Sequence, residues 1–188
     1  MLNSLIELDQ RVFLFLNGFH ADWMNPIMAF LSGQFIWLPF IGISLYFAFR
    51  AFPRKQFFTF ILFLGLLLVL CDSTSSYILK NLTERLRPCR EVDLKPLINF
   101  FGQRCSGRFG FVSSHAANSL ALSLFCFKVI PLPRFIAYAM MCLPFLVSYS
   151  RIYLGAHYPG DLLGGMLVAT GWTMAFVYFW KNLKGQDG

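Results

Sequence analysis

The sequence predicts an all-α fold, a polytopic membrane helix bundle with five spans and an N-terminal amphipathic interfacial helix. Hydrophobic residues make up 57% of the 188 positions and charged residues only 13%, whereas about a quarter of a soluble domain is charged. Aromatic residues reach 18%, and the mean hydropathy is +0.59. No polar stretch is long enough to build a separate soluble domain, so we predict one membrane-embedded domain over residues 1–188.

The N-terminal segment, residues 1–23, is predicted to lie in the membrane interface. Apolar side chains recur at helical spacing over residues 2–20, while polar ones fall mostly on the other face. The uninterrupted apolar run 12–16 is too short for a crossing, which needs about 20 residues. An amphipathic helix in the interface is therefore favoured, with a tilted sixth span as the alternative. No basic leader or cleavage site is recognisable, so we expect Met1 to be retained.

Five apolar stretches that follow predict the spans, at residues 27–49, 57–79, 113–130, 135–149 and 162–180. Small residues at four-residue spacing in the third and fifth spans predict close helix packing, namely Ala117, Ala121, Gly165 and Ala169. The hydrophilic stretch 80–112 is predicted to be an extracytoplasmic loop. The positive-inside rule favours this orientation, because cations cluster in the loops expected on the other side, as Arg50, Arg54, Lys55, Lys128, Arg134, Lys181 and Lys184.

Counting the crossings brings three polar clusters to one face of the membrane. The second and fourth spans end there, and the third and fifth begin there. Taken alone, each cluster has an ordinary explanation, as a snorkelling cation, a helix cap or an interfacial loop. Their coincidence predicts one shared site, made by Lys80, Arg87, Ser113, Ser114, His115, Arg151, His157 and Asp161.

The chemistry of this set is that of a phosphate site. Lys80, Arg87 and Arg151 supply charge-assisted donors, and arginine can hold two oxygens at once. The start of the third span presents the backbone N–H groups of Ser114 and His115 to an anion, and the Ser113 hydroxyl adds a donor. These donors predict stabilisation of the charge that develops when a phosphoryl group is displaced.

Two histidines divide the predicted reaction. His157 has Asp161 four residues on, which can hold one ring nitrogen and leave the other free to attack phosphorus. His115 is then the general acid that protonates the leaving oxygen. No cysteine or histidine spacing is typical of a zinc site, and we expect neither a metal nor another cofactor.

The three clusters resemble the motif of the type 2 phosphatidic acid phosphatase family. Its first part is Lys, six residues, Arg-Pro, matched by Lys80, Arg87 and Pro88. Its third part is Ser-Arg, five residues, His, three residues, Asp, matched by Ser150, Arg151, His157 and Asp161. The second part, Pro-Ser-Gly-His, is matched at Ser113 and His115, with Val112 and Ser114 at the other two positions.

This resemblance covers roughly residues 57–180. It implies a helical bundle, often of six spans, with a metal-independent site at the extracytoplasmic membrane surface. It also implies His157 as the nucleophile, Asp161 as its partner and His115 as the acid.

A membrane lipid phosphatase is therefore the predicted function. Its substrate is an isoprenyl diphosphate, lipid A phosphate, phosphatidylglycerol phosphate or phosphatidic acid. Four further arginines favour a strongly anionic head group, namely Arg85, Arg90, Arg104 and Arg108. We expect a location in the bacterial inner membrane, with the site facing the periplasm or exterior. The expected partners are the phospholipid or isoprenoid phosphate substrate and membrane lipids, with no nucleic acid and no obligatory protein partner. The alternatives are a lipid phosphotransferase, an anion transporter or lipid-binding membrane protein, and a serine hydrolase.

Two further features concern the surroundings of the site. Cys89 and Cys105 bracket the polar loop, and a disulfide between them is predicted for an oxidising compartment. Cys71, Cys126 and Cys142 lie in apolar runs, as small core residues do. Asp72 is costly inside a span, and it either orients Lys80 through Ser76 or bonds hydroxyl groups of a neighbouring helix.

Overall fold

The computed structural model describes residues 2–101, 105 and 107–186. In this part of the chain the only strand-like pairing is an isolated bridge between Leu86 and Phe109. The helices, in order, are α1 (Leu2–Asn17), α2 (Asn25–Leu31), α3 (Trp37–Ala51), α4 (Arg54–Ser73), α5 (Lys80–Thr83), α6 (Ser114–Val129), α7 (Arg134–Tyr153) and α8 (Pro159–Gln186). The all-helical fold class is as predicted.

The first predicted span is not one helix. The structure divides residues 27–49 between α2 and α3, with a turn over residues 32–36, so the prediction of a continuous span there was wrong. Gly33 and the polar Ser32 and Gln34 interrupt the apolar run at this point, and glycine and serine are poor helix formers. Ser32 is buried, and its hydroxyl accepts a hydrogen bond from the Arg151 guanidinium.

The second predicted span is a continuous helix from Arg54 to Thr83, made of α4, a π-helical turn Thr74–Leu79 and α5. A π turn adds a residue to the helical repeat and is frequent near functional sites. Asp72, beside this turn, accepts a hydrogen bond from the Asn118 amide of α6 at 3.3 Å and a longer one from Ser76 at 3.5 Å. This carboxyl therefore links α4 to α6.

Three helices are long and apolar enough to cross a membrane, Arg54–Thr83, Arg134–Tyr153 and Pro159–Lys184. The chain is accordingly an integral membrane protein. The two remaining candidates, α3 and α6, have 15 and 16 residues, fewer than the roughly 20 that a straight crossing needs. The number of spans stays a prediction.

The core of the bundle lies where α4, α6 and α8 meet. Phe60, Phe125 and Trp180 fill it from these three helices, with ring centroids 5.7–6.5 Å apart. Towards the start of α8, Gly165 lies against the Ser113 carbonyl and the backbone of Ala117, as the small-residue spacing predicted. This close approach holds the first turns of α6 and α8 side by side.

The N-terminal helix α1 packs across the same end of the bundle. Phe13 is fully buried, with its ring 5.4 Å from that of Tyr158. Asn17 donates hydrogen bonds to the backbone oxygens of Ile152 and Tyr153, at 3.0 and 2.9 Å. The other face of α1 leaves apolar side chains exposed, among them Leu5, Leu8 and Phe15. That pattern is typical of an interfacial helix, and this location for α1 stays a prediction.

Candidate active site at the end of the bundle

The pair formed by His157 and Asp161 lies between α7 and α8 and is sealed from solvent. His157 is 1% exposed and Asp161 0%. The Nδ1 atom of His157 lies 3.3 Å from Oδ2 of Asp161, which also accepts the Tyr158 backbone N–H at 3.0 Å. A carboxylate placed in this way selects the orientation of the imidazole and leaves Nε2 for other chemistry.

Burial lowers the pKa of His157 well below its ordinary value, and the positive charges of Arg87, Arg151 and Lys80 lower it further. A charged imidazole would lose its hydration and face three cations, so the neutral form is favoured. The ring is therefore unprotonated, and able to act as a nucleophile, at pH values where a free histidine would be partly charged.

Three cations come to this pair from three different elements. Lys80 begins α5, Arg151 lies in the last turn of α7, and Arg87 comes from the loop between α5 and α6. Arg87 and Arg151 are 7% and 4% exposed. Arg87 Nε donates to the Phe109 carbonyl at 3.0 Å. In the described part of the chain, none of these three cations forms an ion pair with a carboxylate.

The start of α6 completes the cluster. Ser113 is the buried N-cap, and its Oγ accepts the Ala116 N–H at 3.4 Å. The Ser113 backbone N–H donates to the Asp161 carbonyl at 2.9 Å, which ties α6 to α8. Ser114 opens the helix, and the His115 ring interacts electrostatically with Arg151, His157, Lys80 and Arg87. The structure thus brings the sequence-predicted site residues together.

The loop between α5 and α6 is closed at its base. The Gly110 N–H donates to the Arg85 carbonyl at 2.8 Å, and the Arg87 N–H to the Arg108 carbonyl at 3.3 Å. A disulfide joins Cys89 to Cys105, whose Cα atoms are 6.1 Å apart. Gly110 is required for space, because a Cβ there would lie 2.8 Å from Oδ2 of Asp161.

Arg85, one of the four arginines that the sequence predicted to favour an anionic head group, is paired with two carboxylates. Its Nη1 lies 3.0 Å from Oδ1 of Asp161, and its Nη2 lies 2.6 Å from Oδ2 of Asp9 in α1. Arg90 donates to the Cys105 carbonyl at 2.7 Å, while Arg108 is exposed and lies over the Phe109 ring. Arg104 lies outside the described residues.

Two residues beside the site were missed by the sequence analysis, Asp9 and Ser32. Asp9 contacts Arg85 and the Gly160 N–H, and Ser32 contacts Arg151. Neither belongs to a motif, and each lies at least 76 positions from the side chain it holds. The only signal was their polar character within largely apolar segments.

Two cavities adjoin Arg85 on the surface of α1. One, of about 410 Å³, has mostly apolar walls that include Leu5, Leu8, Val12 and Leu163. The other, of about 690 Å³, is lined by residues that include Thr83, Phe111 and Tyr158. No group of three histidine, cysteine or acidic side chains suited to a metal ion occurs among the described residues.

Comparison with known proteins identifies relatives with this architecture. The PAP2 superfamily matches residues 57–184. The lipid A 4′-phosphatase of Bacteroides thetaiotaomicron is 32% identical over 94% of this chain and 80% of its own length. The lipid A 4′-phosphatase of Porphyromonas gingivalis is 28% identical over 89% of this chain and 70% of its own.

Two solved structures share the fold. The PAP2-type phosphatidylglycerolphosphate phosphatase of Bacillus subtilis has a TM-score of 0.65 and 21% identity, and the match covers 98% of this chain and 88% of that one. LpxE of Aquifex aeolicus has a TM-score of 0.66 and 20% identity, and the match covers 91% of this chain and 95% of that one.

Proposed function

Because this chain belongs to the PAP2 superfamily and is a membrane lipid phosphatase, we propose that it removes the 4′-phosphate from lipid A. The phosphate chemistry in this proposal depends most on one observation, the placing of Lys80, Arg87 and Arg151 around two imidazoles. The buried guanidinium groups of Arg87 and Arg151 are costly unless an anion accompanies them. A phosphate group supplies that anion, and its oxygens match the donors that the two guanidinium groups present.

In the proposed reaction, His157 Nε2 attacks phosphorus and an N–P bond forms as the bond to the sugar oxygen breaks. The negative charge of the bound phosphate offsets the three cations and keeps His115 protonated, so that His115 can give a proton to that oxygen. Asp161 stabilises the positive charge that develops on the His157 ring. Water then attacks the phosphohistidine, the N–P bond breaks, and His115 takes the proton from that water. The three cations and the N–H groups of the first turn of α6 stabilise the phosphoryl oxygens in both steps.

The choice of lipid A depends on the relatives. Two proteins that match at least 89% of this chain are lipid A 4′-phosphatases. The apolar walls beside Arg85 also suit a substrate whose acyl chains stay in the membrane while its head group enters the site. We propose further that residues 1–188 act as one domain in the bacterial inner membrane, with the loop 80–112 facing the periplasm.

Phosphate release by the purified protein in detergent tests this function. The panel is lipid A, phosphatidylglycerol phosphate, phosphatidic acid and an isoprenyl diphosphate. We expect the highest kcat/KM on lipid A, loss of the 4′-phosphate, and a loss of roughly 10⁴-fold or more in His157→Ala. Arg134→Gln, at the far end of α7, is the control with wild-type activity.

The outcomes of this assay separate the alternatives. Full activity in His157→Ala refutes the mechanism, and a higher kcat/KM on another lipid refutes the substrate assignment. Transfer of labelled phosphate to a lipid or sugar hydroxyl, instead of to water, identifies a phosphotransferase. Vanadate should inhibit, since it adopts the five-coordinate geometry of the phosphorus transition state.

A further inference from the structure

Arg85 connects the N-terminal helix to the catalytic pair. The two oxygens of Asp161 face different partners, because Oδ1 accepts from Arg85 at 3.0 Å and Oδ2 lies 3.3 Å from His157. The other nitrogen of the guanidinium, Nη2, lies 2.6 Å from Asp9. Its plane also lies over the Tyr158 ring, 4.2 Å from the centroid. Arg85 is therefore held at three points.

Asp9 is itself fixed on two sides. One oxygen binds Arg85, and the other accepts the Gly160 N–H at 2.8 Å, in the residue before Asp161. A Cβ at position 160 would lie 2.7 Å from Asp9 Oδ2, so the glycine permits this close approach. The Asp9 and Arg85 side chains are 16% and 25% exposed, so this ion pair is only partly screened by solvent.

A fully buried carboxylate such as Asp161 needs a positive partner and a fixed direction. Without Arg85, Oδ1 would lack its charged donor, and the carboxylate could rotate away from the imidazole. A second layer of hydrogen bonds that orients the direct partner of a reacting histidine is a common way to keep its tautomer.

We propose that Arg85 and Asp9 are positioning residues for the phosphoryl transfer, in which Asp9 holds Arg85, Arg85 holds Asp161, and Asp161 orients His157. This inference rests on the proposed function of the same site. It assigns α1 a part in the reaction, and it takes Arg85 out of the group of charges that contact the substrate.

Steady-state kinetics on a lipid phosphate that the wild type hydrolyses test the proposal. Arg85→Gln should lower kcat roughly tenfold to hundredfold, as expected for a misplaced reacting group, with KM unchanged. Arg85→Lys should recover part of the loss, because it restores the charge but not the planar fork. Asp9→Asn should lower kcat roughly twofold to fivefold. Glu7→Gln, an exposed acid on the same helix, is the matched control.

A double-mutant cycle shows whether Arg85 acts through Asp161. In the Asp161→Asn background, Arg85→Gln should cause no further loss of kcat. An equal loss in both backgrounds overturns the proposal, and so does a wild-type kcat in Arg85→Gln. A rise in KM alone also overturns it, because that result would make Arg85 a substrate ligand. If Arg85→Gln does not fold, Arg85→Lys takes its place in both comparisons.

A measurement without substrate separates this proposal from the proposed function. Nitrogen NMR should find His157 protonated at Nδ1 in the wild type and in Glu7→Gln, and as a mixture of tautomers in Arg85→Gln. An unchanged tautomer in Arg85→Gln refutes the positioning role. A wild type that does not act on lipid A, but shows this change, refutes only the substrate assignment.

Discussion

At the scale of single residues, the arginine side chains of the site are already fixed in place before any substrate arrives. Arg87 is held by a backbone carbonyl, and Arg151 by the hydroxyl of Ser32. Burial has already removed most of the hydration of both guanidinium groups. Little further dehydration is therefore needed when a phosphate group enters. Such preorganised charges stabilise a developing anion more than mobile surface charges do.

The pH dependence of kcat/KM should reflect the lowered pKa of His157. Because the pKa lies below 6.5, the ring stays unprotonated as the pH falls through 6.5. Activity should be lost only as the pH falls further, through the lowered pKa that His157 has in the folded protein. In Arg87→Gln one positive charge is gone, the pKa rises, and the acidic limb should move to higher pH. Arg87→Lys should keep the limb near its wild-type position.

Profiles of kcat/KM for the three proteins on one substrate provide the check. Ionisation of the substrate is common to all three, so a difference between the limbs belongs to the enzyme. At the optimum, Arg87→Gln should lose roughly tenfold to hundredfold, the effect of a hydrogen bond to a charged group. An acidic limb that does not move in Arg87→Gln would contradict the assigned cause.

Much of the site was predictable at this scale, because charge and spacing mark it. Lys80, His157 and Asp161 stand out as ionisable groups at the ends of apolar runs, and Arg87 stands out by its spacing from Lys80. Asp9 and Ser32, which position two of the arginines, were not predictable in the same way. Asp9 meets Arg85 across 76 positions, a contact that depends on how α1 folds back over the bundle.

At the scale of elements, the site depends on how closely α6 and α8 approach. The Ser113 N–H binds the Asp161 carbonyl, so the start of one helix is fixed to the start of the other. Gly165 lies one turn further along α8 and faces the Ser113 carbonyl. A larger residue at that position would separate the two helix starts, and with them the phosphate donors and His157.

Gly165→Ala should therefore destabilise the protein and slow it. The added Cβ would meet the Ser113 carbonyl and lie 3.3 Å from the Ala117 nitrogen. We expect a loss of about 1–3 kcal/mol in the free energy of unfolding and a fall in kcat of roughly tenfold to hundredfold. Thermal unfolding in detergent and phosphate release measure the two effects.

Gly171→Ala is the matched control on the same helix, because a Cβ at that position would have no heavy atom within 4 Å apart from its chain neighbours and its own helix backbone. Alanine should leave activity unchanged there and stabilise the helix by up to about 1 kcal/mol. If the two variants have the same stability and activity, close packing at Gly165 does not position the site.

Element boundaries were predictable where hydropathy alone decides them. The predicted spans 135–149 and 162–180 correspond to α7 and α8, although the structure extends both helices at each end, to Arg134–Tyr153 and Pro159–Gln186. The turn at residues 32–36 was not found, because a single Ser-Gly-Gln interruption does not reveal that Ser32 binds an arginine 119 positions away. The π turn before Lys80 was not marked by hydropathy either, since backbone hydrogen bonding defines it.

At the scale of the whole molecule, the two ends of the bundle differ in charge. The end opposite the site carries seven exposed cations, Arg50, Arg54, Lys55, Lys128, Arg134, Lys181 and Lys184. The segments 50–55, 128–134 and 181–184 contain no acidic residue. At the site end, cations are mixed with acidic residues, among them Asp9, Glu84, Glu91 and Asp161. By the positive-inside rule, this asymmetry predicts that the end opposite the site faces the cytoplasm.

The orientation predicts which end a membrane-impermeant maleimide can reach. In spheroplasts that express the protein, Leu97→Cys should be labelled at once, because this residue of the site-end loop is 65% exposed and should face outward. Lys184→Cys, near the end of α8, should be labelled only after lysis, because we expect the cations to keep that end in the cytoplasm. The wild type is the background control for its own cysteines. The reverse pattern would place the site in the cytoplasm, out of reach of a lipid head group in the outer leaflet.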